Sequence, residues 1–112
     1  IASKSRAFVH AAFERNKTKV EDMLSKGTRY VVSKDKSSYI RYTAEDSHVE
    51  GYMATNRKLV ESRQSWYVMG DDGTITSGVE VVIEGEAEPQ IWYIHYRKSS
   101  GHWKIFMLEN GM

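Results

Sequence analysis

His10, His48, His95 and His102 are the side chains of this sequence that ordinarily titrate nearest neutrality, so acid–base or metal chemistry would start from them. None of them shares the H-x-x-x-H spacing that puts two imidazoles on one helix face, and no metal site is expected. His10 falls mid-helix beside an apolar stripe and reads as structural. His48 sits in a polar stretch with Glu45, Asp46 and Glu50, either an incidental carboxylate–imidazole cluster or a solvated loop. His102 lies at a turn. His95 shares its parity in a strand with Ile91 and Tyr93. If that parity faces inward, an imidazole among aromatics could act as a general base; if not, it is a half-exposed residue of the outer face. The carboxylates give no catalytic pair. Asp71 and Asp72 occupy a turn. Glu80, Glu84, Glu86 and Glu88 point outward or lie in a loop, and Glu61 shares a polar parity with Arg63. Ser65 and Ser77 have no base at a recognisable spacing. The Gly70, Gly73, Gly78 and Gly85 positions read as turns or bulges, not as a phosphate loop. No catalytic residue, cofactor or metal is therefore expected.

The aromatic residues say more as a group. Trp66, Tyr67, Trp92, Tyr93, Tyr96, Trp103 and Phe106 all fall in the three most strand-like segments, where they could stack across a sheet. They form either a core or a pocket or exposed strip that docks a partner. The segment 90–98 is apolar on both parities, with Trp92, Ile94 and Tyr96 on one and Ile91 and Tyr93 on the other. One core cannot cover both, which points to self-association. The pocket or interface candidates are Trp66, Trp92, Tyr93, His95, Tyr96 and Trp103.

These residues need elements to hold them. Ala7, Phe8, Ala11 and Ala12 recur at helical spacing within residues 3–15, with Ser3 or Ser5 as caps. Residues 16–27 predict a second helix. Thr18 and Glu21 have capping-box spacing, Val20, Met23 and Leu24 share a face, and Gly27 suits a left-handed C-cap. The period then changes. Residues 28–33 are β-branched and aromatic, 39–43 suit a short strand, and 44–50 read equally as helical turn or loop. Strands are expected over 59–69, 74–84, 90–98 and 102–109, punctuated by Asp71-Asp72-Gly73, by the loop 85–89 and by Ser99-Ser100-Gly101. Helices followed by a run of strands imply an α+β fold, the helices lying on a strongly curved, mostly antiparallel sheet.

The 112 residues, 40% hydrophobic and 12% aromatic, suit one globular domain spanning 1–112. Sixteen basic residues against 15 acidic ones leave a net charge of +1, which argues against a nucleic-acid partner. Arg97, Lys98, His102 and Lys104 make only a small basic cluster at a turn. With no cysteine, disulfides and thiol chemistry are excluded. No apolar run approaches the roughly 18 residues of a membrane span, so any membrane attachment would come from a segment outside this chain.

The helical pair around Phe8-Val9-His10-Ala11-Ala12-Phe13 and Leu24-Ser25, followed by a meander closing in Tyr96-Arg97-Lys98-Ser99-Ser100-Gly101-His102-Trp103-Lys104-Ile105, resembles the NTF2-like (cystatin-like α+β) superfamily. The resemblance implies a cone with an open wide end. Enzymatic members of the superfamily usually show a longer first helix and a third helix before the sheet; here that third helix would have to fall within 44–58, where the residues signal one only weakly. Some members are isomerases or dehydratases; others are binding or assembly domains, including extracytoplasmic domains of Gram-positive lipoproteins and of secretion or conjugation machines. The initial Ile1, the polar lysine-rich surface and the short helices resemble the extracytoplasmic type. The expected function is thus a non-enzymatic domain that meets a protein partner or a second copy through its sheet. The alternative is a small-molecule pocket or a ketosteroid-isomerase-like enzyme lined by Trp66, Trp92, Tyr93 and His95.

Overall fold

The computed structural model describes residues 1–33, 39–43 and 58–111. Helix α1 runs Ala2–Phe13, helix α2 Lys17–Met23, and six strands follow: β1 Leu24–Ser33, β2 Tyr39–Thr43, β3 Leu59–Met69, β4 Ile75–Ile83, β5 Gln90–Ser99 and β6 His102–Gly111. The segment 44–58, where a third helix would have to fall, lies outside the described residues apart from Lys58.

Helix α1 buries Ser5, Phe8, Val9 and Ala12, a stripe at three- and four-residue spacing that faces the sheet. It ends in a Schellman turn. Arg15 adopts φ 59°, its N–H donates to the Ala12 carbonyl, and the Asn16 N–H reaches back to the carbonyl of Ala11. Asn16 is also the N-cap of α2: its side-chain oxygen accepts from the Lys19 amide at 3.3 Å. The cap is therefore Asn16, not Thr18. Helix α2 also stops earlier than its sequence suggests. Leu24 is already extended, at ψ 143°, because it pairs beside Ile105 of β6. Gly27 consequently lies within β1 and caps nothing.

The strand order is β2-β1-β6-β5-β4-β3, so β2 and β3 are the two edges. The β1–β6 pair is parallel; the other neighbours are antiparallel. Bulges interrupt β3 twice, between Leu59 and Glu61 and between Gln64 and Trp66, and β5–β6 once, beside Tyr96. Each inserts an extra residue on one strand, which bends and twists the sheet around the helices. Strand β4 turns Ile75, Ser77, Val79, Val81 and Ile83 inward, and β5 turns Trp92, Ile94 and Tyr96 inward. Apart from Ser77, they form one apolar core with Phe8, Val9, Ala12 and Val20, and Phe13 stacks on Trp92 at 5.7 Å between ring centroids.

Candidate functional site

The pairing of β4 with β5 decides which aromatics share a face. Ile75 lies opposite Tyr96, Ser77 opposite Ile94 and Val79 opposite Trp92, all on the inner side; Thr76 lies opposite His95 and Gly78 opposite Tyr93, on the outer side. The six candidate residues are thereby divided. Trp92 and Tyr96 belong to the core, and the Trp92 indole N–H donates to Gln90. Trp103 is half-buried against the same core, with the Lys98 ammonium over its ring. Trp66, Tyr93 and His95 lie together on the outer face. A single pocket lined by Trp66, Trp92, Tyr93 and His95 does not form, because the sheet separates Trp92 from the other three.

On the inner side, three buried hydroxyls tie α1 to the sheet. Ser5 Oγ donates to Ser77 Oγ at 2.9 Å. Its only proton is then committed, so the Tyr96 hydroxyl, 2.8 Å away, donates to Ser5. Burial pushes the Tyr96 phenol up to about 12, against a smaller opposing pull from Ser5. Tyr96 is thus a neutral donor at physiological pH. No sequence reading singled out Ser5 and Ser77 as a pair; they are 72 residues apart.

On the outer side, the second face of β5 is covered in part by the chain itself. Trp66 of β3 lies against Tyr93, with ring centroids 5.8 Å apart. Gly78 makes this possible: a Cβ at that position would stand 2.7 Å from a Trp66 ring carbon. Gly78 therefore seats an indole in mid-strand, directly opposite the bulge between Gln64 and Trp66, and is not a turn residue. Phe106 covers His95 at 6.0 Å between ring centroids, and the Arg97 guanidinium sits over Phe106. His95 Nδ1 pairs with Thr76 Oγ1 at 2.8 Å. Its Nε2 lies 3.5 Å from the Glu109 carboxylate, buried and without a hydrogen bond. One ring nitrogen is engaged and the other is closed off from solvent. His10 is exposed at the helix surface and pairs with Ser62 Oγ at 3.2 Å. His48 lies outside the described residues. Among the described residues, no three His, Asp or Glu side chains converge to hold a metal.

The exposed apolar surface gathers elsewhere. Val60, Trp66, Tyr67, Val68 and Met69 are the large exposed hydrophobics of the described residues, and all five belong to β3. The first half of that edge carries the Arg63–Glu61 ion pair at 2.9 Å, with Glu80 also beside Arg63, and both bulges. Such charges and kinks keep an edge from pairing with another chain. The stretch Trp66–Met69 has neither. Trp66 and Val68 pair with the outer-facing Gly78 and Thr76, Tyr67 and Met69 with the inner-facing Ser77 and Ile75, so this stretch is apolar on both faces.

No family model matches the sequence, and no curated protein matches it. Solved structures do match. An NTF2-like protein from Cytophaga hutchinsonii superposes with a TM-score of 0.69 at 14% identity, covering 97% of this chain and 92% of that one. A DUF4783 family protein from Bacteroides fragilis gives 0.66 at 10% identity, covering 92% of each chain. A candidate ketosteroid isomerase from Shewanella frigidimarina gives 0.63 at 17% identity, covering 97% and 92%. Similarity over nearly the whole of each chain, at such low identity, speaks for the backbone and its topology: the chain has the NTF2-like α+β fold.

Proposed function

We propose that this chain is a non-enzymatic association domain that docks protein through its sheet, and that the docking element is the β3 edge. The observation that carries the reading is the concentration of every large exposed hydrophobic of the described residues on one edge strand. An edge presents unpaired backbone N–H and C=O groups, and an incoming strand satisfies these while covering side chains on both faces. Packing of a partner onto one face would leave either Trp66 and Val68 or Tyr67 and Met69 in water. The buried polar side chains of the described core, Ser5, Ser25 and Ser77, are uncharged, which suits a scaffold better than acid–base work. The reading includes an extracytoplasmic setting within a larger anchored, secretion or conjugation assembly, for which the residues encoded upstream of Ile1 are the check.

A photo-crosslinking amino acid in place of Val68 tests the docking edge in cells that produce the protein. A covalent protein adduct should form there and not from the same group at the exposed Glu88. No adduct at Val68 under conditions where the domain is folded would refute the reading. The isomerase-type alternative draws on the Shewanella frigidimarina neighbour. It requires a ligand-dependent rise in melting temperature with steroid or enone probes.

A further inference from the structure

We infer that the strand received by the β3 edge is the β3 of a second copy, paired antiparallel about a two-fold axis at Tyr67. The inference rests on the docking reading above and names its partner.

Residues opposite each other in a strand pair share a face, so a two-fold pairing must match outer residues with outer and inner with inner. Centred on Tyr67, it does. Trp66 of each copy lies opposite Val68 of the other on the outer face, and the two Tyr67 side chains meet on the inner face. Trp66, Tyr67 and Val68 thus each find an apolar or aromatic partner, while Met69 falls opposite Ser65 at the bulge.

Charge selects the direction. The exposed turn after β3 carries Asp71 and Asp72. The Asp72 carboxylate accepts from the Thr74 hydroxyl and amide, which hold it below the usual carboxylate range, so the turn is anionic at neutral pH. In the two-fold arrangement this turn approaches Arg63 of the other copy, twice over, where the guanidinium is shared with Glu61 and Glu80. A parallel in-register pairing would instead set acidic turn against acidic turn and Arg63 against Arg63. The antiparallel pairing also consumes both β3 edges in one closed contact, so it stops at a dimer with a continuous twelve-stranded sheet, twice the six of one copy. The bulge beside Ser65 limits the regular pairing to a few residues. The contact is accordingly of the small, exchanging class, under about 1,200 Å² in total.

The sequence contains no cysteine, so single-cysteine variants report the register directly. At the two-fold centre the Cα atoms stand about 4.5–5.5 Å apart, within disulfide reach. Tyr67→Cys should therefore yield a disulfide-linked dimer under mild oxidation. Val60→Cys, as exposed but away from the axis, should not. Light scattering of the wild-type chain from about 10 to about 500 µM should show a monomer–dimer equilibrium, as for a weak, transient contact. Val68→Lys should abolish the dimer with its circular dichroism unchanged, since Val68 is mostly in water in the monomer.

Equal cross-linking of the two cysteine variants overturns the proposal, as does a wild-type monomer across that range. The mass of the photo-adduct at Val68 separates this failure from that of the underlying reading. A partner of another mass, with the wild type monomeric, removes the second copy and leaves the docking edge. No adduct at all removes both.

Discussion

Replacing Gly78 by alanine should destabilise the domain only while Trp66 is present, and the magnitude follows from the geometry of one contact. The added methyl would stand 2.7 Å from the nearest ring carbon of Trp66. That ring must retreat by about 0.9 Å to reach ordinary contact near 3.6 Å. Trp66 is 42% exposed, so somewhat more than half of its surface is covered. Taking about 150–250 Å² for a fully buried aromatic, at about 25 cal/mol per Å², the cover stabilises by roughly 2–3.5 kcal/mol. A tilt of the ring loses about a third of this, together with part of the ~0.5–1.5 kcal/mol of its pairing with Tyr93. Alanine, being less flexible than glycine in the unfolded chain, returns about 0.5–1 kcal/mol. The net expectation is a loss of about 1 kcal/mol, near 4 °C in Tm for a chain of this length. In a Trp66→Ala background the clash is gone and the same substitution should stabilise by about 0.5–1 kcal/mol. Urea unfolding of the wild type, both single variants and the double variant measures the coupling, expected at about 1.5–2 kcal/mol. Low micromolar protein keeps association out of the measurement. A coupling near zero, or Gly78→Ala destabilising equally in both backgrounds, would refute the seat assigned to Gly78.

Other consequences can be checked on the same protein. Tyr96 has a folded-state pKa raised to about 12 from an ordinary value near 10, so its contribution is fully present below pH ~10 and is lost as pH rises towards 12. The stability of wild type relative to Tyr96→Phe in denaturant unfolding should accordingly fall over that window by something on the order of 2–3 kcal/mol, reversing the order of the two, and stay constant below it. At neutral pH, Tyr96→Phe should cost about 1 kcal/mol, because Ser5 keeps Ser77 but loses a donor. Asn16→Ala should cost about 0.5–1 kcal/mol in thermal unfolding, whereas Thr18→Ala should change little, since Asn16 is the cap of α2. Ser100→Asn should stabilise by about 0.5 kcal/mol: Ser100 and Gly101 both have positive φ, 51° and 83°, in a two-residue hairpin that favours Asn-Gly.

The strands from 59 onward were legible because their apolar alternation and turn residues are local signals, and the structure sets their bounds within a residue or two of those expected. The boundary between α2 and β1 was not. Leu24 and Ser25 have helical company in the sequence, and only the place made for Leu24 beside Ile105, at the far end of the chain, pulls them into a strand. The same separation hid the Ser5–Ser77–Tyr96 cluster, whose members read singly as a cap, an isolated serine and an aromatic.

The periodicity of apolar residues determined the α+β class, the mostly antiparallel sheet and the residues eligible for a core, because burying a stripe or a strand face is a requirement that each element carries within itself. Which parity of β5 faces inward, and therefore where His95 points, was settled only when α1 took one side of the sheet. The position of β3 at an edge followed in the same way from pairings between distant segments. An edge is a strand with a neighbour on one side only, a property of the assembled sheet that no stretch of eleven residues can express alone.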